Sequence, residues 1–185
     1  MARIEDSLEL VWQVEYSGRK DKALHQNAGE TGWTYKGIYQ TAHPTWEGWR
    51  IVRAATQKYN GDMKLASEML FDNKELEESV VRFYKKEFWD KMKLDEVASQ
   101  KIADEMFVFG LNVGIGHAIR AAQRIASVQQ DGVVGPKTIQ ALNRLDETVF
   151  DETYDILEVE YYEKLGEQPR FAQFVKGWRN RAYFV

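Results

Sequence analysis

The 185-residue chain has no cysteine. Disulfide bridges, thiolate metal ligation and a cysteine nucleophile are therefore excluded, and nothing in the residue usage marks a redox compartment. Histidine is almost as scarce. His25, His43 and His117 show no ligand spacing such as His-x-x-x-His, so neither a metal site nor a cofactor is expected. No apolar run approaches a bilayer span, and the opening Met1-Ala2-Arg3-Ile4-Glu5-Asp6 has acids where a signal peptide needs an apolar core. The expectation is synthesis in the cytoplasm without a signal peptide or stable membrane insertion. The formal net charge of −4 offers no basic excess for nucleic acid. Gly-x-Ser-x-Gly and Walker-type loops are also missing: Gly110 to Gly116 is glycine-rich but lacks the Lys-Ser/Thr ending and a preceding strand.

What remains is a globular composition, 44% hydrophobic and 29% charged, suited to one compact domain or two small lobes and read as monomeric. Apolar periodicity predicts helices near 5–16, 45–59, 62–71, 74–92, 95–109, 114–127, 136–144, 147–165 and 170–182, with Pro44 and Pro136 at tolerant first turns. The fold class is therefore mainly α. The exception is 16–44, where Gly18, Gly29, Gly32 and Gly37 break any helix and Trp33 to Tyr39 reads as a short extended segment. Leu145 to Glu163 carries eight acids and no Lys or Arg, whereas Pro169 to Val185 carries four basic residues and no acid. The two stretches suit mutual pairing, or a basic tail facing an anionic polymer.

One acid stands out. Ile4, Leu8, Val11 and Trp12 form a helical stripe, and Glu15 is the next position in phase with it. Burial there, together with the negative end of the helix, would keep its carboxyl protonated to higher pH, as a general acid requires; a Glu at the helix rim with its head in water is the plainer alternative. If the helix ends near Glu15, the chain must turn back across that end, bringing Glu30 and Thr34 within reach. Two carboxyls and a hydroxyl able to hold water are the constellation for glycoside hydrolysis.

Val14-Glu15-Tyr16 followed by Gly32-Trp33-Thr34-Tyr35-Lys36-Gly37-Ile38-Tyr39 resembles the start of glycoside hydrolase family 108, a lysozyme-like group of N-acetylmuramidases. In that family a helix ends in a catalytic Glu-Gly-Gly, followed by an Asp-containing loop and a Gly-Gly-x-Thr-x-x-Gly-Ile segment. The resemblance implies Glu15 as the catalytic acid, with Thr34 and Gly37-Ile38 at the matching positions. Tyr16-Ser17 stands in place of Gly-Gly, and the second carboxylate falls to Glu30, with Asp21 as the other candidate. Trp33, Tyr35, Tyr39 and His43 are read as groove residues for sugar rings.

A second pattern follows Asn112-Val113-Gly114 and Ala122-Gln123-Arg124: Asp131-Gly132-Val133-Val134-Gly135-Pro136-Lys137-Thr138. Physically it is a turn leading into a helix. It resembles the predicted peptidoglycan-binding domain that follows the family 108 catalytic region, as does the ending Phe174-x-x-Gly177-Trp178-x-Asn180-Arg181. Asp131, Lys137 and Thr138 are the binding candidates, with locking of the loop as the competing role for Asp131 and Thr138. Taken together, the resemblances imply a lysozyme-like catalytic region at 1–95 and a helical peptidoglycan-binding region at 96–185. Together these would cleave glycan strands between N-acetylmuramic acid and N-acetylglucosamine, in phage-type lysis or after dedicated export. A lytic transglycosylase and a noncatalytic wall-binding or secretion-associated module are the alternatives.

Overall fold

The computed structural model describes residues 1–16, 18–27 and 29–185; for Val14 and Tyr16 it describes the backbone only. Two compact units emerge: unit 1 comprises Met1–Leu10 with Lys86–Val185, and unit 2 comprises Val11–Lys85. These bounds follow packing and differ from the functional division read at residue 95. The physical reason lies at the start of the chain. The Ala2 N–H donates to the Val97 carbonyl at 2.9 Å, the Arg3 N–H to Gln100 Oε1 at 2.7 Å, and Ser7 Oγ to the Asp104 carboxylate.

The fold is mainly α, as expected. Helix α1 (Ile4–Tyr16) enters unit 2 with its apolar stripe covered: Ile4, Leu8, Val11 and Trp12 are all buried. It closes with the Gly18 N–H donating to the Trp12 carbonyl at 3.1 Å. Three two-residue strands follow, β1 (Leu24–His25), β2 (Thr34–Tyr35) and β3 (Ile38–Tyr39), paired antiparallel in that order. The expected extended segment at 33–39 is thus a hairpin with a third strand beside it.

Helices α2 (Trp49–Lys58), α3 (Met63–Phe71) and α4 (Lys74–Tyr84) complete unit 2. The side chains of Asp62 and Asn73 cap α3 and α4 by accepting from Leu65 N and Leu76 N. Ser67 of α3 pins the sheet: its hydroxyl accepts from the Leu24 N–H at 2.9 Å and donates to the Lys20 carbonyl at 2.6 Å. The core of the unit is aromatic. Trp46 stacks on Tyr35 and meets Trp49 edge-on at 5.0 Å, and the two indole N–H groups donate to the carbonyls of Ser79 and His43.

The helix expected over 74–92 is interrupted. After Tyr84 it widens into a π-helical stretch, Lys85–Trp89, and then tightens into a 3-10 turn, Asp90–Met92. The wider turn rotates the following side chains relative to an α-helix. Here Trp89 is fully buried against Phe107, with its indole N–H on Asp95 Oδ1 at 2.7 Å. Unit 1 then builds α5 (Gln100–Val113), α6 (Ile115–Ile125), α7 (Pro136–Leu142), α8 (Glu147–Gly166) and α9 (Val175–Ala182). Helix α5 is buried continuously from Ile102 to Gly110 and packs on α6 and α8. Among the described residues no helix is long and apolar enough to cross a membrane.

Candidate active site

The strand register sorts side chains between core and cleft. Leu24 pairs with Tyr35 and Tyr35 with Ile38, while His25 pairs with Thr34 and Thr34 with Tyr39. Directly opposed residues share a face. The Leu24, Tyr35 and Ile38 row is buried at 2%, 0% and 0% exposure, so the His25, Thr34 and Tyr39 row takes the other face. That face forms one wall of a cleft of about 670 Å³, lined also by Glu15, Lys22, Gln26, Asn27, Glu30, Lys36 and Gly37.

The cleft brings Glu15, Glu30, Thr34 and Tyr39 together from positions up to 24 apart in sequence. Glu30 sits at the end of a turn: its N–H donates to the Asn27 carbonyl, and its carboxylate accepts from Asn27 Nδ2 at 3.1 Å. Gln26 Nε2 holds the Glu30 carbonyl at 3.0 Å. Asp21, the other candidate for second carboxylate, is turned to Arg19 at 2.8 Å and is not among the cleft-lining residues. Of the two readings of Glu15, the structure shows the plainer one: its side chain is exposed at the rim of α1, one turn beyond the buried Trp12.

Other expected groove residues lie elsewhere. Tyr35 is in the core, with its hydroxyl on the Leu70 carbonyl at 3.2 Å; strict alternation puts it on the face opposite Thr34. His43 packs edge-on against Phe83 at 4.7 Å, and Trp33 is half-buried, bonded through its backbone to Gln40; neither lines the cleft. His25, not His43, is the histidine that lines the cleft, with Nδ1 against the Lys22 carbonyl at 3.1 Å.

Lys36 is the residue the sequence conceals. It is 3% exposed, pairs with the Glu77 carboxylate, and holds its ammonium 4.6 Å from the Phe71 ring centroid and 5.1 Å from that of Trp12. Its backbone has φ 45° and that of Gly37 φ 80°, the paired positive values of a tight hairpin turn. Tyr84 clamps that turn by donating its hydroxyl to the Lys36 carbonyl at 2.6 Å. A Cβ on Gly37 would stand 2.5 Å from the same hydroxyl. Gly37→Ala should therefore destabilise the chain by about 1–3 kcal/mol in urea unfolding, since strain and steric conflict combine. A midpoint unchanged from wild type would show that the turn relaxes freely.

Asp131, Lys137 and Thr138 belong to unit 1. Asp131 Oδ1 accepts from Gln123 Nε2 at 2.8 Å and from the Val133 N–H at 2.9 Å, and Gln123 Oε1 accepts from the Gly132 N–H. The Gln123 amide, and after it the Val133 N–H, hold the Asp131 carboxyl below its ordinary range. Thr138 is buried and Lys137 exposed. These bonds tie the 131–133 loop to Gln123 of α6.

Comparison with known proteins adds two family matches. Residues 18–114, just over half of the chain, match Glycosyl hydrolase 108, and residues 117–183 match a Predicted Peptidoglycan domain. The first match begins three residues after Glu15, so the reading of Glu15 rests on the helix, the cleft and the residue pattern. No curated protein matches the chain. Among solved structures, SagA of Brucella abortus is similar in fold at a TM-score of 0.62 and 18% identity, covering 98% of this chain and 91% of its own. The paired matches support a glycoside hydrolase that acts on peptidoglycan. With its hairpin and every cleft-lining residue but Glu15 inside the matched span, the chain belongs to the glycosyl hydrolase 108 family.

Proposed function

We propose that the chain is an N-acetylmuramidase that hydrolyses the bond between N-acetylmuramic acid and N-acetylglucosamine. The observation that carries this reading is the convergence of Glu15, Glu30 and Thr34 on one cleft. Glu15 donates a proton to the glycosidic oxygen as the C1–O bond breaks, and positive charge develops on the sugar ring. Glu30 faces that charge or takes a proton from the attacking water, which Thr34 positions. Water then bonds to C1 and leaves a reducing end. Glu15 is exposed in the free chain, and the glycan seated across the cleft would exclude water from the reacting groups. Tyr39 offers a ring edge to a sugar, with its hydroxyl tied to the Thr31 carbonyl at 3.3 Å.

We assign cleavage to residues 1–95 and wall binding to 96–185. The Predicted Peptidoglycan domain match at 117–183 supports the second assignment, and the hydrolase match, running on to 114, overlaps both. Within unit 1 a hollow of about 730 Å³ is edged by His117, Tyr161, Lys164, Glu167 and Gln168, an aromatic ring among polar groups of both signs, as a glycopeptide would meet. A second carboxylate in the cleft favours hydrolysis over a one-acid transglycosylase. Mass spectrometry of digested peptidoglycan tests this: reducing muramic-acid ends are expected, whereas anhydro ends would transfer the chain to the transglycosylases. Wall sedimentation without any released fragment would leave a binding module.

A further inference from the structure

Helix α5 carries a carboxylate where none is expected. Glu105 is 0% exposed, in a run of buried residues from Ile102 to Gly110, and neither of its oxygens has a hydrogen-bond partner. A buried carboxylate without donors is costly, so its surroundings must offset the charge. Across from it, α8 presents Asp151 and Asp155, one turn apart and both half-buried. One oxygen from each of the three carboxylates lies within 4.8 Å of the other two. Asp155 Oδ1 is also buried without a hydrogen-bond partner.

The local charges do not balance. Lys101, one turn before Glu105, lies 3.1 Å from Asp151 Oδ1 and 3.9 Å from Glu105 Oε1, and also donates to the Val185 carbonyl. Glu158, 3% exposed, adds a fourth carboxylate, and Arg181 is the second cation whose charge reaches the group. With all four ionised, as a bound cation requires, four carboxylates against two cations carry an excess of two negative charges, the charge of one divalent ion. The donor set is carboxylate oxygen alone, with no imidazole or thiolate, which selects hard cations. Oxygens within 4.8 Å of one another can share one ion bonded at about 2.3–2.6 Å, the calcium range, and calcium tolerates an irregular shell where magnesium demands a near-ideal octahedron. Glu105 forms the floor of the group, while the partly exposed Asp151 and Asp155 leave one side open for water to complete the shell.

We propose that Glu105, Asp151 and Asp155 form a calcium-binding site that ties α5 to α8. The site is independent of the hydrolytic cleft and makes no assumption about the reaction. Three protein ligands place the affinity in the weak range, with Kd of about 10⁻⁴–10⁻³ M.

Thermal unfolding of the full chain in EDTA and in millimolar calcium chloride tests the site. Calcium should raise Tm by about 3–8 °C, and magnesium by less. Glu105→Gln and Asp155→Asn should each remove the calcium increment, and calorimetric titration of the wild type should give one calcium per chain. The titration needs no variant to fold. No calcium binding in the titration, or an increment of full size in both variants, overturns the proposal and leaves a carboxyl group that holds protons in place of a metal.

Discussion

Glu15→Gln lowers release of reducing muropeptide ends by at least about 100-fold, the low end of what a positioned general acid contributes. The amide keeps the size of the carboxyl and cannot give up a proton to the leaving oxygen. Because Glu15 is exposed at the end of α1, its replacement should move stability by less than about 0.5 kcal/mol, and wall binding should persist. The variant therefore separates chemistry from folding. Digestion assays run beside urea unfolding and wall sedimentation read all three properties. Wild-type turnover in the variant would move the acid to another cleft residue, Glu30 first, since it alone joins Glu15 as a carboxylate among the cleft-lining residues.

The second large effect is a gain. In EDTA, Glu105→Gln should stabilise the chain by roughly 1–3 kcal/mol at pH 7, an effect that vanishes toward pH 4.5. Burial first, then the Asp151 carboxyl and the charges of Glu158 and Asp155, push the Glu105 carboxyl up to about 10. Burial likewise raises Glu158 to about 8 and Asp155 to about 6. The groups facing this set are Lys101 from α5, Asp151, Tyr154 and Tyr162 from α8, and Arg181 from α9. Each acid has a folded pKa above its unfolded value, so the native chain holds more protons than the unfolded one between those values. The share of stability set by these three acids is then greatest below pH 4 and falls as pH rises toward 8. Glutamine has no proton to lose, so the variant escapes the Glu105 share of that decline. Chemical unfolding at a series of pH values gives the comparison, and a variant less stable than wild type at pH 8 would contradict it.

Much of this architecture is written locally. Asp62, Asn73, Ser99 and Asp146 each precede an apolar periodic run, and each caps a helix with its side chain. The alignment of Glu15, Glu30 and Thr34 was legible because a helix end followed by a glycine-broken return constrains where the chain can go. Burial and the helix rim both stayed open for Glu15, since periodicity gives the direction of a side chain but not whether anything lies over it. Strands of two residues are too short to show alternation, so Tyr35 and Thr34, adjacent in sequence, could not be assigned to opposite faces. The break after Tyr84 depends on where Trp89 must pack, a tertiary demand with no local marker. Lys36 and Glu105 look like surface residues in sequence. Only long-range partners, Glu77 and Phe71 for one and the α8 acids for the other, account for their burial.

The opening decapeptide has a consequence for how such a protein can be recombined. Ala2, Arg3 and Ser7 find their partners at Val97, Gln100 and Asp104, so the same helix that carries Glu15 begins in the unit built by the C-terminal half. A cut at residue 95 strips those partners from Ala2, Arg3 and Ser7. The C-terminal half is thus not a detachable cassette. Moved without the first ten residues, it would leave Val97, Gln100 and Asp104 without those hydrogen bonds.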